Sequence, residues 1–163
     1  DPPAVASVWA MGALHVYTVD VRWTGAGDTG TTSYTAYSRD HEVRVEGRPV
    51  LLASSDPVFR GDPTRYSPED LFVASANVCL MTTFLAVAER AGLAFASYES
   101  TAEGRLEIVE GKFQFTAITI RPSIILQPGG DPARAKELIE KAEHNCLISN
   151  SMKAKVTLEA TIR

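Results

Sequence analysis

Hydrophobic and polar positions change period several times along the chain, and each change marks an element. Residues 14–23 are rich in β-branched and aromatic side chains, with Asp20 and Arg22 alternating against Val19, Val21 and Trp23. That period of two predicts a strand. A glycine-rich loop over residues 25–30 follows, and residues 31–38 are a second strand candidate; so short a link predicts antiparallel pairing of the two. Residues 42–47 and 49–53 are shorter runs, enough for one further strand or two. Residues 54–66 carry Pro57, Gly61, Asp62 and Pro63 with few apolar side chains, and read as an irregular connection of a length that is often functional.

The period then becomes helical. Ser67 suits an N-cap, Pro68 the first helical position, Glu69 and Asp70 an acidic first turn, and Gly92 a stop. Between Leu71 and Ala88 there is no charge, and apolar or small residues occupy every side of the helical wheel. Such a helix must be covered all round. A helix over residues 68–91 is about 36 Å long, roughly the width of a small domain, and a chain of this size would struggle to wrap it alone. The expectation is that a second copy supplies part of the cover, two such helices packing in a dimer core. The rival reading is a membrane span, whose minimum length the uncharged run just reaches. Against it stand Ser75, Asn77, Thr82 and Thr83 within the run and Glu69, Asp70, Glu89 and Arg90 around it, which show no basic bias. No membrane partner is expected.

Beyond Gly92, residues 96–109 and 112–120 alternate and are separated by Glu110 and Gly111, the signal of a long β-hairpin. Residues 121–126 continue the strand past Pro122, which predicts a bulge or an edge position there. A second helix starts with Asp131 as cap and Pro132 at its first position and runs to His144, with Ala135, Leu138, Ile139 and Ala142 as one apolar stripe. Residues 154–162 alternate as a terminal strand. The order is strands, helix, hairpin, helix, strand, which predicts an α+β fold.

Length and ordinary apolar content fit one domain with a real core over residues 14–163. Residues 1–13 read as an N-terminal extension, with Met11 as a candidate natural start and no basic residues of a signal peptide. A net charge of -4 without a Lys/Arg cluster argues against nucleic acid as the main partner. Two cysteines are too few for a disulfide framework and predict a cytoplasmic setting with functional or inert thiols.

The three histidines form no metal pattern, and no glycine-rich phosphate loop or nucleophile elbow is present, so neither metal nor cofactor is expected. That leaves the thiols. A buried free cysteine is usually a small hydrophobe, and this reading of Cys79 stands beside a reactive one. As a nucleophile Cys79 would need a nearby cation, because burial alone raises its pKa. Cys146, at the negative end of a helix dipole, should be the poorer thiolate. If the pair works together, Cys79 attacks and Cys146 resolves.

The block over residues 68–81, with Pro68, Glu69, Leu71 and Cys79 ten residues after the glutamate, followed far downstream by Cys146-Leu147-Ile148-Ser149-Asn150-Ser151, resembles the OsmC/Ohr family of osmotically inducible and organic hydroperoxide resistance proteins. The resemblance covers nearly the whole chain from about His15 in element order. It implies antiparallel sheets around a long central apolar helix in an intertwined homodimer, with a thiol-dependent peroxidase site at the subunit interface. It further implies that Cys79 attacks organic hydroperoxides to give a sulfenic acid, that Cys146 resolves it as a disulfide, and that an external dithiol, such as a lipoyl group, regenerates the pair. Glu69 matches the glutamate that holds a catalytic arginine, and Arg39 is the best match to that arginine, with Arg44, Arg48, Arg60 and Arg65 as substitutes. Ten residues of helix separate Glu69 from Cys79 by about 15 Å, so a partner's helix end or a reaching arginine must bridge them. Leu147 departs from the family's proline after the second cysteine. The alternative within the same fold is a non-catalytic protein binding a small hydrophobic ligand at the dimer interface.

Overall fold

The computed structural model describes residues 14–163, so the expected extension over residues 1–13 lies outside the described residues. The chain forms two compact units, one ending at Ser67 and one spanning Pro68–Arg163.

The first unit is a three-stranded antiparallel sheet, β1 (Asp20–Trp23), β2 (His41–Arg44) and β3 (Leu51–Ala53), in that order. β1 pairs with β2, Val21 facing Val43, and not with residues 31–38 as the alternation there suggested. That stretch folds into turns and a short 3-10 segment, Gly30–Thr32. The cause is local: the Arg39 guanidinium donates to the main-chain carbonyls of Tyr37 and Tyr34 at 2.8 and 2.9 Å, taking acceptors that a strand ladder would have used. The stretch between β1 and β2 leaves and returns through bonds from the Thr24 amide to the Asp40 carbonyl and from the Ser38 amide to the Gly25 carbonyl. Residues 54–66 are irregular, as expected, and closed at their base by the Ser54 amide on the Tyr66 carbonyl. Gly61 is required there, since a Cβ would lie 1.6 Å from the Ser55 carbonyl oxygen.

The second unit holds the core. α1 (Pro68–Arg90) is continuous and has Glu69 and Asp70 in its first turn. It ends at Gly92, whose φ of 68° lets the Leu93 amide return to the Ala88 carbonyl at 2.9 Å. β4 (Phe95–Val109) and β5 (Lys112–Leu126) form the expected hairpin, and its two-residue turn has positive φ at both Glu110 and Gly111, the geometry that matches strand twist. α2 (Pro132–His144) is capped by Asp131, which accepts from the Ala133 amide at 2.9 Å, and it buries the predicted stripe of Ala135, Leu138, Ile139 and Ala142.

β6 (Lys155–Leu158) and β7 (Thr161–Ile162) both pair parallel to β5. β5 is therefore an interior strand, and Pro122 is buried within it rather than at an edge. The interior accepts a proline because the parallel ladder is already interrupted at this level, between β6 facing residues 117–120 and β7 facing residues 123–124.

α1 lays Ala76, Leu80, Phe84 and Ala88 into a core shared with Ile118, Ile120 and Ile124 of β5 and the α2 stripe. Phe84 stacks on Phe95, with ring centroids 5.2 Å apart. Near the helix start, Gly104 of β4 permits close approach: a Cβ there would lie 2.6 Å from Val73 and 2.8 Å from Phe115. Two residues before Cys79, Asn77 is tied to β4 by its side-chain oxygen, which accepts from the Ser100 hydroxyl. These contacts fix the rotation of α1, and so the direction in which Cys79 faces. The helix is long and apolar enough to cross a membrane by length and composition, but one face of it builds this core. Its other face keeps Val78 and Leu85 exposed, at 55% and 45%.

Candidate functional site

Cys79 lies midway along α1 on the face that also carries Ala76, Leu80 and Phe84, and is nearly buried. Cys146 lies two residues beyond the end of α2 and is fully buried. Both are free thiols, and the fold brings them near enough for the Cys146 thiol to act on that of Cys79. Sixty-seven positions of sequence separate them, and the packing of α2 on α1 closes that distance.

The segment after α2 is a tight turn made of its own hydrogen bonds. The Cys146 amide donates to the Glu143 carbonyl at 3.0 Å, the Asn150 amide to the Cys146 carbonyl at 3.0 Å, and the Ser151 hydroxyl to the Leu147 carbonyl at 2.8 Å. The Asn150 side-chain amide reaches back to the His144 carbonyl at 3.1 Å. Leu147, where the family pattern has proline, turns its side chain outward and is 56% exposed. Main-chain and side-chain amides thus do the work of closing the turn. The turn also brings the Ile148 amide near enough to the Cys79 sulfur to favour its thiolate.

The electrostatics of Cys79 follow from this packing. Burial pushes the thiol above its ordinary value, and the nearby Cys146 thiol adds to the rise by favouring the protonated form. The Ile148 amide and the Thr83 hydroxyl pull the other way, because each donates best to a thiolate. None of these influences is cationic. Together they leave the Cys79 thiol above its ordinary value.

The remaining sequence-derived candidates fall elsewhere on their own units. Glu69, in the first turn of α1, stands about 15 Å along the helix from Cys79. One of its carboxylate oxygens, Oε2, is buried without a hydrogen-bond partner among the described residues. Buried polar atoms are almost always paired, so an orphan acceptor of this kind marks a place for a donor. Arg39, in the first unit, lies between the rings of Tyr34 and Tyr37, 4.3 and 4.1 Å from their centroids, besides bonding both carbonyls. Of its substitutes, Arg44 pairs with Glu42 at 2.6 Å and Arg65 with Asp62 at 3.5 Å. Among the described residues no cluster of three or more His, Cys, Asp or Glu side chains could hold a metal ion.

The OsmC-like protein family matches residues 61–161, which include both cysteines and Glu69. The chain belongs to the OsmC/Ohr family. It is 31% identical over 152 residues to the uncharacterized protein YmaD of Bacillus subtilis, covering 90% of this chain and 93% of the relative. It is 28% identical over 97 residues to the peroxiredoxin OsmC of Escherichia coli, covering 60% of this chain and 67% of that protein. Among solved structures, an OsmC-like protein of unknown function from Vibrio cholerae superimposes with a TM-score of 0.82 at 27% identity, over 91% of this chain and all of that one. The α+β fold, with an antiparallel sheet, a sheet built on an antiparallel hairpin and a central helix, is therefore that of the OsmC/Ohr family.

Sequence reasoning named the two cysteines but missed the donors around the first of them. Thr83 stood out only as a polar residue that argued against a membrane span. Its spacing of four from Cys79 was the available signal, since residues four apart on a helix are neighbours.

Proposed function

We propose that the chain is a thiol-dependent peroxidase that reduces organic hydroperoxides. The observation that carries this reading is the pair of free thiols buried within one unit of an OsmC/Ohr chain, the second near enough to act on the first. Cys79, as thiolate, attacks the outer oxygen of the hydroperoxide. An S–O bond forms as the O–O bond breaks, the sulfur gives up two electrons, and the departing alkoxide takes a proton and leaves as the alcohol. Cys146 then attacks the sulfenic sulfur; the S–S bond forms and the hydroxyl leaves as water. An external dithiol of the lipoyl type reduces the disulfide by exchange and restores both thiols. The cycle uses no metal and no resident cofactor.

Activation of Cys79 calls for a cation, because its own surroundings favour the protonated form. Arg39 is the proposed source, and Glu69, with its orphan oxygen, the proposed anchor of a guanidinium. The working form is a homodimer in the cytoplasm, and its interface draws on the exposed apolar side of α1 around Val78 and Leu85. The same raised thiol supports a second reading, a non-catalytic protein that binds a small hydrophobic ligand at the dimer interface.

Cumene hydroperoxide with dihydrolipoamide as reductant separates the two. Turnover by the wild type, abolished in Cys79→Ser and stalled at the sulfenic acid in Cys146→Ser, is the expected result. A wild-type protein that is inert with both thiols reduced would overturn the peroxidase and leave the ligand-binding reading.

A further inference from the structure

Two threonines follow Cys79 on α1, and their hydroxyls behave differently. Thr82 bonds back to its own helix, donating to the Val78 carbonyl at 3.2 Å and to the Cys79 carbonyl at 3.1 Å, the usual habit of a helical threonine. Thr83 makes no such bond among the described residues, and its hydroxyl instead lies 4.0 Å from the Cys79 sulfur, one helical turn back. In the turn after α2 the Ile148 amide finds no carbonyl among the described residues, although the amides of Cys146, Asn150, Ser151 and Met152 all do. That amide lies near enough to the same sulfur to favour its thiolate form.

We propose that Thr83 is a positioning residue for the reactive sulfur: its hydroxyl and the Ile148 amide form a two-donor cradle that orients Cys79 and favours its thiolate. The cradle deepens the peroxidase reading and rests on it for its purpose, but its chemistry can be measured without any peroxide. Two donors aimed at one sulfur stabilise the anion more than the neutral thiol, because a hydrogen bond to a charged acceptor is roughly twice as strong. They also fix the side chain's direction, so that it faces the Cys146 sulfur. Cys146 is the one titratable side chain among the main influences on Cys79, and it opposes the donors. Thr83 on α1 and Ile148 on the turn therefore counter, from two elements, the effect of burial and of the second thiol.

The test is the pH profile of Cys79 alkylation by iodoacetamide in the full-length reduced protein, followed at the Cys79 peptide by mass spectrometry. Thr83→Val keeps the shape and removes the donor. It should slow alkylation at pH 7 about three- to tenfold and move the profile to higher pH, the effect of one lost hydrogen bond. Thr83→Ser, which returns the hydroxyl, should restore the wild-type profile. Thr83→Ala repeats the deletion should the valine disturb folding. Profiles that coincide for wild type, Thr83→Val and Thr83→Ala would overturn the cradle, whatever the peroxide assay gives. A shifted profile in a protein without peroxide turnover would keep the cradle and remove its catalytic purpose.

Discussion

The two units of this chain are built by different means. The unit Pro68–Arg163 has an apolar interior in which Leu80, Phe84, Ile118, Ile120, Ile124 and Ile139 are fully buried. The unit ending at Ser67 buries only Ala53, Ser54 and Ser67 among its described residues, and Val19, Val21, Tyr34, Leu52 and Val58 are all more than half exposed. What organises that unit is polar: an arginine tied to two carbonyls, aspartates capping their own turns, and ion pairs of Arg65 with Asp40 and Asp62. Surface pairs of this kind contribute little each, whereas a buried phenylalanine is worth several kcal/mol. The difference teaches that the second unit can carry its own stability, while the first needs cover for its apolar strands.

The contrast is broken most directly at Phe84. Phe84→Ala should cost about 3–5 kcal/mol, read as a lower denaturant midpoint at unchanged slope. A loss below about 1 kcal/mol would mean that the buried cluster is not what holds the second unit. The next effect in size is chemical and tests whether the first unit serves the second. Arg39→Ala should slow alkylation of Cys79 at pH 7 by about tenfold, the consequence of a one-unit rise in the thiol's pKa once a guanidinium no longer assists it. An unchanged rate would free Arg39 from any catalytic part and leave it as the brace between Tyr34 and Tyr37. The smallest effect is the sharpest on assembly. Val21→Ala, on a bare strand, should change stability by no more than about 0.5 kcal/mol in a monomer. A larger loss that grows on dilution would instead show the strand to be covered by a second copy.

The same contrast explains what was readable. Where a core enforces the pattern, the pattern reads back: the stripe on α2, the Glu110-Gly111 turn of the hairpin and the start and stop of α1 all follow from spacing alone. Residues 31–38 misled because alternation is only a tendency on a surface, and three glycines with a reaching arginine outweigh it. Pro122 misled for the opposite reason. Proline implies an edge only if the neighbouring strand on its amide side needs that amide, and the break between β6 and β7 falls at residues 159–160, which local reading cannot connect to it.

Within the candidate site, the two cysteines stood out in the sequence because each stands in a distinctive local motif. Their environment did not. The helix dipole argument ranked Cys79 above Cys146 as a thiolate, yet burial and the second thiol push Cys79 up, and only the Ile148 amide and Thr83 offset them. Those donors come from a turn far downstream and from one rotation of one helix.

The linear order of residues determined the helices, the hairpin and the α+β character, because capping, turn chemistry and hydrophobic period act over a few residues at a time. Only the tertiary structure decided that Cys79 and Cys146 come near each other, that β5 lies inside its sheet and that the first unit is left thinly clad. Each of these depends on which surfaces meet across dozens of residues, and burial, the strongest influence on Cys79, exists only once they have met.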